Sequence, residues 1–338
     1  MEPRLCHSTF VRIVSALLGV VLLTSCVPSP PKSFTHSTAV LRYRTSDINL
    51  SVVELAAALG YLENIELQVV GTVQGGTEAI QSLKSDEIDF STIAFNGLIM
   101  AQVATGTPIK AIAACSGMSK DATSALLVQN GSEIAEIADL VGKTIGMNII
   151  GSLGSAMMAL HFQQSGLTPS EISSITLQPI AEEVMVDRLL QGQVDAIWVS
   201  DNTKERALAT GNFAVLTEDV NLLGSRNTDS LVVSHDLIEK DPETISHLVD
   251  GVSRAIEFEQ THTSEEVRAV YFDYLERTNQ DSRISAFQHW RSLGVSTRGG
   301  LINDRDFSIW SDWVESQIGP IDINLDNFYT NEFNPYHS

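Results

Sequence analysis

From residue 39 onward, short apolar runs alternate with stretches whose apolar residues recur every three to four positions. That is the pattern of strands interleaved with amphipathic helices. It predicts strands at 39–43, 65–70 and 88–93, with helices at 52–59 and 78–83 between them. A second series repeats the plan: strand 143–147, helix 155–165, strand 174–177, helix 182–190, strand 196–199. Such alternation calls for parallel-rich sheets flanked by helices. Two further strand-like runs, 124–129 and 230–234, flank the second series and read as hinge crossings between two lobes. The remainder is helical in pattern, at 242–260, 265–276, 283–293 and 304–318. The expected organisation is an α/β protein with lobe one at 39–123 plus 230–338 and lobe two at 124–229.

One element recurs in both series. Residues 83–89 (Leu-Lys-Ser-Asp-Glu-Ile-Asp) match residues 189–195 (Leu-Leu-Gln-Gly-Gln-Val-Asp) in their Leu, turn, apolar and Asp positions. Each marks a helix ending just before a strand. Gly192 suits the left-handed turn that closes a helix, and Asp86 can replace glycine there because its side chain is short and polar. The equivalent placement in two series points to a duplicated lobe.

Charge and the N-terminal end narrow the setting. With 42 acidic and 21 basic residues the formal net charge is −21, and no basic patch exists to displace phosphate counterions, so nucleic acid is not an expected partner. The acids are spread along the chain as a solvated surface and carry no statement about ligand charge. Arg4 and Arg12 precede an apolar run at 13–23 that is too short to span a bilayer and reads as a secretory signal. The run ends in Leu23-Thr24-Ser25-Cys26, which resembles the bacterial lipobox. That likeness implies removal of a signal peptide at 1–25 and lipidation of Cys26, followed by a proline-rich tether at 26–38. Cleavage removes Cys6 and acylation uses Cys26, leaving Cys115, so packing alone must hold the mature chain.

A set of ordered motifs then carries a family resemblance. They are Gly75-Gly76-Thr77, Ile88-Asp89, the segment 106–113 (Gly-Thr-Pro-Ile-Lys-Ala-Ile-Ala) and the segment 139–146 (Asp-Leu-Val-Gly-Lys-Thr-Ile-Gly). Further on come Gly166-Leu167-Thr168-Pro169, Gly192-Gln193-Val194-Asp195-Ala196 and Asp241-Pro242-Glu243. Together they resemble the ABC transporter substrate-binding proteins for aliphatic sulfonates, taurine, nitrate and thiamine precursors. The resemblance covers most of the mature chain. It implies a two-lobed periplasmic binding protein type 2 fold that closes on a small-molecule solute and delivers it to an ABC permease and its ATPase. It further implies a monomer that needs no cofactor and catalyses nothing. Enzymes of the menaquinone-pathway and pyrimidine-forming types are similar overall, and a ligand-sensing lipoprotein is the other alternative. Ser200-Asp201-Asn202 stands where relatives often carry an acid followed by proline, which points to a different pocket.

In open α/β sheets ligands sit beyond the carboxyl ends of strands, where loops and helix starts present free N–H groups. That rule selects Ser46 and Asp47, Gly75, Gly76 and Thr77, and Phe95 and Asn96 in lobe one, with Ser116 as a further approach. In lobe two it selects Gly151, Ser152, Gly154 and Ser155, whose backbone can cradle an anion, together with Trp198, which can stack on a ligand. Asp201 and Asp229 can receive an amine. Every one of these residues also has a plain use in turns, caps or core. Gly142-Lys143-Thr144 imitates the end of a P-loop, but Ile137 stands where the leading glycine belongs. Residues 322–326 begin like a calcium loop, yet Asn327 replaces the required glycine. The histidines fall in no tight metal-ligand spacing, and Cys115 has no identifiable base, so buried packing is its expected role.

Overall fold

In the computed structural model, residues 38–47 and 50–337 are described, and they form one compact unit. The signal peptide, Cys26 and the tether up to residue 37 lie outside the described residues. The first series runs β1 (Ala39–Thr45), α1 (Val52–Ala58), β2 (Ile65–Thr72), α2 (Gly76–Lys84), β3 (Phe90–Ser91), α3 (Asn96–Ala104) and β4 (Ile109–Met118). The second runs β5 (Ala125–Gln129), β6 (Thr144–Met147), α4 (Leu153–Gln164), α5 (Pro169–Ser174) and β7 (Thr176–Pro179). It continues with α6 (Glu182–Leu190), β8 (Ala196–Val199), α7 (Asp201–Leu208), β9 (Phe213–Glu218) and α8 (Asp219–Leu223). The chain then returns through β10 (Arg226–Ser234) to α9 (His235–Lys240), α10 (Pro242–Thr261), α11 (Ser264–Arg277), α12 (Asp304–Ser308) and α13 (Ser311–Ile318).

Of the three sheets, one is parallel, one antiparallel and one mixed. β1 pairs with β2 in parallel, and β6 pairs in parallel with β7 and β8. The two strands read as crossings run the other way. β10 lies antiparallel between β3 and β4, and β5 lies antiparallel between β8 and β9, giving the orders β3-β10-β4 and β7-β6-β8-β5-β9. The chain thus passes from one sheet to the other between β4 and β5 and returns between β9 and β10.

Burial follows the predicted periodicities. α10 places Ile245, Leu248, Val249, Val252 and Ile256 on its inner face against α1, where Leu55 and Ala56 are fully buried. Asp241 caps α10 by accepting the Thr244 N–H at 3.1 Å, with Pro242 in the first turn where a missing N–H costs nothing. In the second sheet Leu127, Ile197 and Met185 belong to a separate small core under α6. Each such side chain removed from water contributes roughly 1.5–3 kcal/mol.

The repeated helix-closing element behaves as expected in both copies. Gly192 adopts φ 67° and Asp86 φ 57°, so both sit in the left-handed region where glycine is easy and a short polar side chain is tolerated. Two expectations need correction. Residues 283–293 do not form an α-helix: a 3₁₀ turn at Asp281–Phe287 gives way to irregular chain, because Arg283 is drawn inward to a buried carboxylate. The run 304–318 is two helices, α12 and α13, broken at Ile309-Trp310, where the Trp310 indole is fully buried and donates to the Asp306 carbonyl.

Candidate functional site

The carboxyl ends of β3, β6 and β8 converge on a cavity of about 160 Å³ between the two sheets. Its lining from the first series includes Gly75, Gly76, Thr77, Ile93 and Phe95. From the second come Asn148, Ser152, Gly154, Glu182, Trp198 and Ser200, with Asp229 reaching in from β10. An engineered apolar cavity of about 150 Å³ holds a benzene ring, so this volume suits a molecule of a handful of heavy atoms.

Each wall follows from local sequence. α2 and α4 begin at the cavity, and the first intrahelical bonds, Ala79 N–H to the Gly75 carbonyl and Ala156 N–H to the Ser152 carbonyl, leave the amides before them available. A Cβ on Gly154 would lie 2.7 Å from Trp198 Cδ1, so glycine there lets the helix start sit flat against the indole. A Cβ on Gly76 would lie 2.9 Å from the Ile93 carbonyl oxygen, which is backbone and cannot yield. Phe95 is wedged edge-on between Trp310 and Trp313, with centroids at 4.8 and 5.4 Å, which fixes the ring that faces the cavity. At the rim the two sides approach closely: Asn148 Nδ2 donates to the Gln74 carbonyl at 3.4 Å, and the Ile149 side chain lies over Gly75.

The structure brings together Gly75, Gly76, Thr77, Phe95, Ser152, Gly154 and Trp198 from the expected set. The others have different places. Ser46 is buried and its carbonyl accepts from Arg283 Nη2 at 2.9 Å, while Asp47 is exposed at an adjoining hollow that shares Glu182 and Ser200 with the cavity. Asn96 is fully buried below the cavity floor, donating to the Asp306 carbonyl and accepting from Ser230 Oγ, which makes it a strut for α3. Gly151 and Ser155 brace the loop behind Ser152, the Gly151 N–H donating to Ser155 Oγ at 2.9 Å. Asp201 opens α7, accepts the Thr123 N–H and pairs with Lys204 Nζ at 3.4 Å. It lines a second cavity of about 120 Å³, together with Ser116, Asp219 and Asp229. Burial raises the Asp201 carboxyl above its ordinary value.

Glu182, Ser200 and Asn148 were not selected from the sequence. Glu182 starts α6 directly after β7 and Ser200 follows β8, so the strand-end rule that found the glycine loops also points to them. Glycine and hydroxyl loops stand out in sequence, whereas Glu182 reads as one acid of an ordinary helix start. In the structure it is 5% exposed and its Oε1 accepts both the N–H and the Oγ of Ser200.

Two groups beside the cavity titrate abnormally. His161, on α4 with its ring 6.3 Å from that of Trp198, is buried with Nε2 unpartnered, and burial pushes its pKa down from 6.5 to about 4. Asp219 is buried behind Ser124, whose N–H it accepts at 3.0 Å, and burial pushes its carboxyl up to about 7. The signs oppose. The lowered histidine makes stability fall as pH drops from about 6.5 toward 4, and the raised carboxyl makes it fall as pH rises through the same interval. Comparison of the native chain with His161→Gln cancels the Asp219 contribution. The stability difference between them is expected to shrink by about 3 kcal/mol between pH 6.5 and pH 4 in urea titrations. A pH-independent difference would mean that His161 is hydrated.

Cys115 is buried and its thiol donates to the Thr92 carbonyl at 3.1 Å, with burial pushing its pKa well up, so it serves packing and not the cavity. Among the described residues no group of three or more His, Cys, Asp or Glu side chains is placed to hold a metal ion, and no helix is long and apolar enough to cross a membrane.

The cavity thus lies at strand ends between an antiparallel and a mixed sheet, each holding one of the two antiparallel crossing strands. The family model described as NMT1/THI5 like matches residues 48–266, more than half of the chain. The chain belongs to the NMT1/THI5-like family. Among solved structures, this NMT1/THI5-like chain is similar to the ligand-binding component of an ABC-type import system from Staphylococcus aureus. That match has 13% identity and a TM-score of 0.66, covering 89% of this chain and 99% of that one. It is similar to the periplasmic aliphatic sulphonate binding protein of Escherichia coli, at 18% identity and TM-score 0.65, covering 88% and 99%. A desulfurization enzyme has the same fold at 16% identity and TM-score 0.59, covering 87% and 97%. The fold is therefore that of periplasmic binding proteins, a fold that also carries enzymes. No curated protein sequence matches this NMT1/THI5-like chain.

Proposed function

We propose that this chain is an extracytoplasmic solute-binding lipoprotein that captures a small organic solute between two closing lobes and delivers it to an ABC importer. The observation that carries the proposal is the cavity itself. It is lined from both sheets by helix-start amides and two aromatic side chains, and it lies where the chain passes twice between the sheets. Polar contact at the rim between Gln74 and Asn148 gives closure something to hold. The lobes are proposed as 39–123 with 230–338 and 124–229, and the motion as a hinge at the crossings next to β5 and β10. The relatives named for import and for sulphonate binding support this reading.

The enzymatic alternative has less to work with. Among the described residues the cavity lining holds no cysteine and no histidine, and Ser200 Oγ donates to a carboxylate instead of to an imidazole. A thermal-shift screen of taurine, alkanesulfonates, nitrate, aminopyrimidines and simple amines tests binding directly. A true solute at a hundredfold excess over its Kd adds about 2.7 kcal/mol. Turnover of any of these compounds by the purified chain alone would favour the enzyme. For the proposed anchor, Cys26→Ala should move the protein from the membrane to the soluble fraction, and unchanged membrane retention would refute lipidation at that residue.

A further inference from the structure

Every ionisable side chain that lines the cavity is acidic. Glu182 and Asp229 face it, and the second cavity, which shares Ser124, Leu153, Ser200 and Asp229 with it, adds Asp201 and Asp219. Among the described residues no Lys, Arg or His lines either one. The nearest cations are already committed or stand outside. Lys204 is buried and its ammonium is shared by Thr123, Glu218 and Asp201. In the adjoining hollow Arg283 is paired with Glu54, and Arg206 is exposed.

The two cavity acids also keep acceptor capacity in reserve. Glu182 takes both Ser200 hydrogen bonds on Oε1, leaving Oε2 without a hydrogen-bond partner among the described residues and still reachable, since it is not one of the fully enclosed side-chain oxygens. Asp229 accepts from Thr228 Oγ1 at 2.7 Å and from Ser116 Oγ at 3.1 Å, both on Oδ2, leaving Oδ1 without a partner among the described residues. Burial raises the Asp229 and Asp219 carboxyls, the cost of holding carboxylates away from water; Lys204 offsets part of this at Asp219, whereas Asp229 is eased only by the Thr228 and Ser116 hydroxyls. A cation entering the cavity removes that cost, whereas a sulfonate or nitrate alone adds a like charge to it. Trp198 lines the same space, and an indole is a further attraction for a positive group.

We propose that the solute carries a positive charge, as a protonated amine, amidinium or quaternary ammonium, and that Glu182 and Asp229 are its partners in the cavity. This rests on the solute-binding reading above and deepens it. An organic cation is favoured over a metal ion because no set of three ligating side chains is assembled there among the described residues. The amides at the starts of α2 and α4 remain for an acceptor group at the other end, so a zwitterion also fits.

The test uses the purified full chain in thermal-shift and calorimetric titrations. Taurine is compared with isethionate, which differs by a hydroxyl in place of the amine. Agmatine, ethanolamine, choline and thiamine are compared with ethanesulfonate and nitrate. Yeast extract separated by ion exchange into cationic, neutral and anionic fractions extends the range. The expected result is stabilisation by the cationic fraction, or by amine-bearing probes and not by their amine-free counterparts. Glu182→Gln and Asp229→Asn should each weaken that binding at least tenfold, and the pair guards against one variant failing to fold. Stabilisation confined to the neutral or anionic fraction, or equal stabilisation by taurine and isethionate, would overturn the charge assignment while leaving solute binding intact. Silence of every probe and fraction would instead sink the solute-binding reading, and this inference with it.

Discussion

Replacing Arg283 with methionine is expected to remove about 3–5 kcal/mol of folding stability, the largest effect of any single substitution considered. Arg283 meets Glu54 in two bonds, Nη1 to Oε1 at 2.9 Å and Nη2 to Oε2 at 3.1 Å, with Glu54 fully buried on α1. The phenols of Tyr43 and Tyr271 donate to the same carboxylate, and burial pushes the Tyr271 phenol well up, so it remains a donor. Loss of the guanidinium leaves a buried carboxylate held by two neutral hydroxyls. The Ser46 carbonyl also loses the hydrogen bond from Arg283 Nη2. A double variant, Glu54→Leu with Arg283→Met, should recover much of the loss, because the pair and not either charge is what burial tolerates. Urea unfolding with a fixed m-value reads both; a loss below about 1 kcal/mol in Arg283→Met would mean another cation or water takes its place.

The second large effect falls on binding. Gly154→Val should abolish the ligand-induced thermal shift and weaken affinity about a hundredfold. At the same time it should cost the free protein only about 1–3 kcal/mol, the usual range for overpacking. The added Cβ would lie 2.7 Å from Trp198 Cδ1 and 3.1 Å from its Nε1, so the indole must move, and the open direction is the cavity of about 160 Å³. A hundredfold loss corresponds to about 2.7 kcal/mol. Retention of full affinity would show that the solute does not rest against Trp198.

Much of this architecture is legible in the sequence, and the exceptions share a cause. The alternating series, the capped start of α10 and the left-handed turns at Asp86 and Gly192 are local, so periodicity and turn chemistry reveal them. Helix α3 escapes notice because Leu98, Ile99, Met100 and Ala101 are all buried, which erases the polar face that marks an amphipathic helix. The expected helix at 283–293 fails because Arg283 answers to Glu54, 229 residues away in the chain. Pattern reading has no access to such a pairing. In the cavity the glycine and hydroxyl loops were visible for the same local reasons. Glu182 was not, since its importance comes from its place in the fold, almost wholly buried and bonded to Ser200 at the end of β8.

The central claim is that a small solute occupies the space between Trp198, Phe95, Glu182 and the starts of α2 and α4. A crystal structure of the chain saturated with whichever probe or purified fraction gives the largest thermal shift tests it most directly. The account predicts electron density for that compound in this cavity, with its charged group against Glu182 and Asp229 and a polar atom at the Gly76 or Gly154 amides. Density lodged instead in a surface hollow, such as the one beside Tyr61 and His262, with this cavity holding only water, would contradict it.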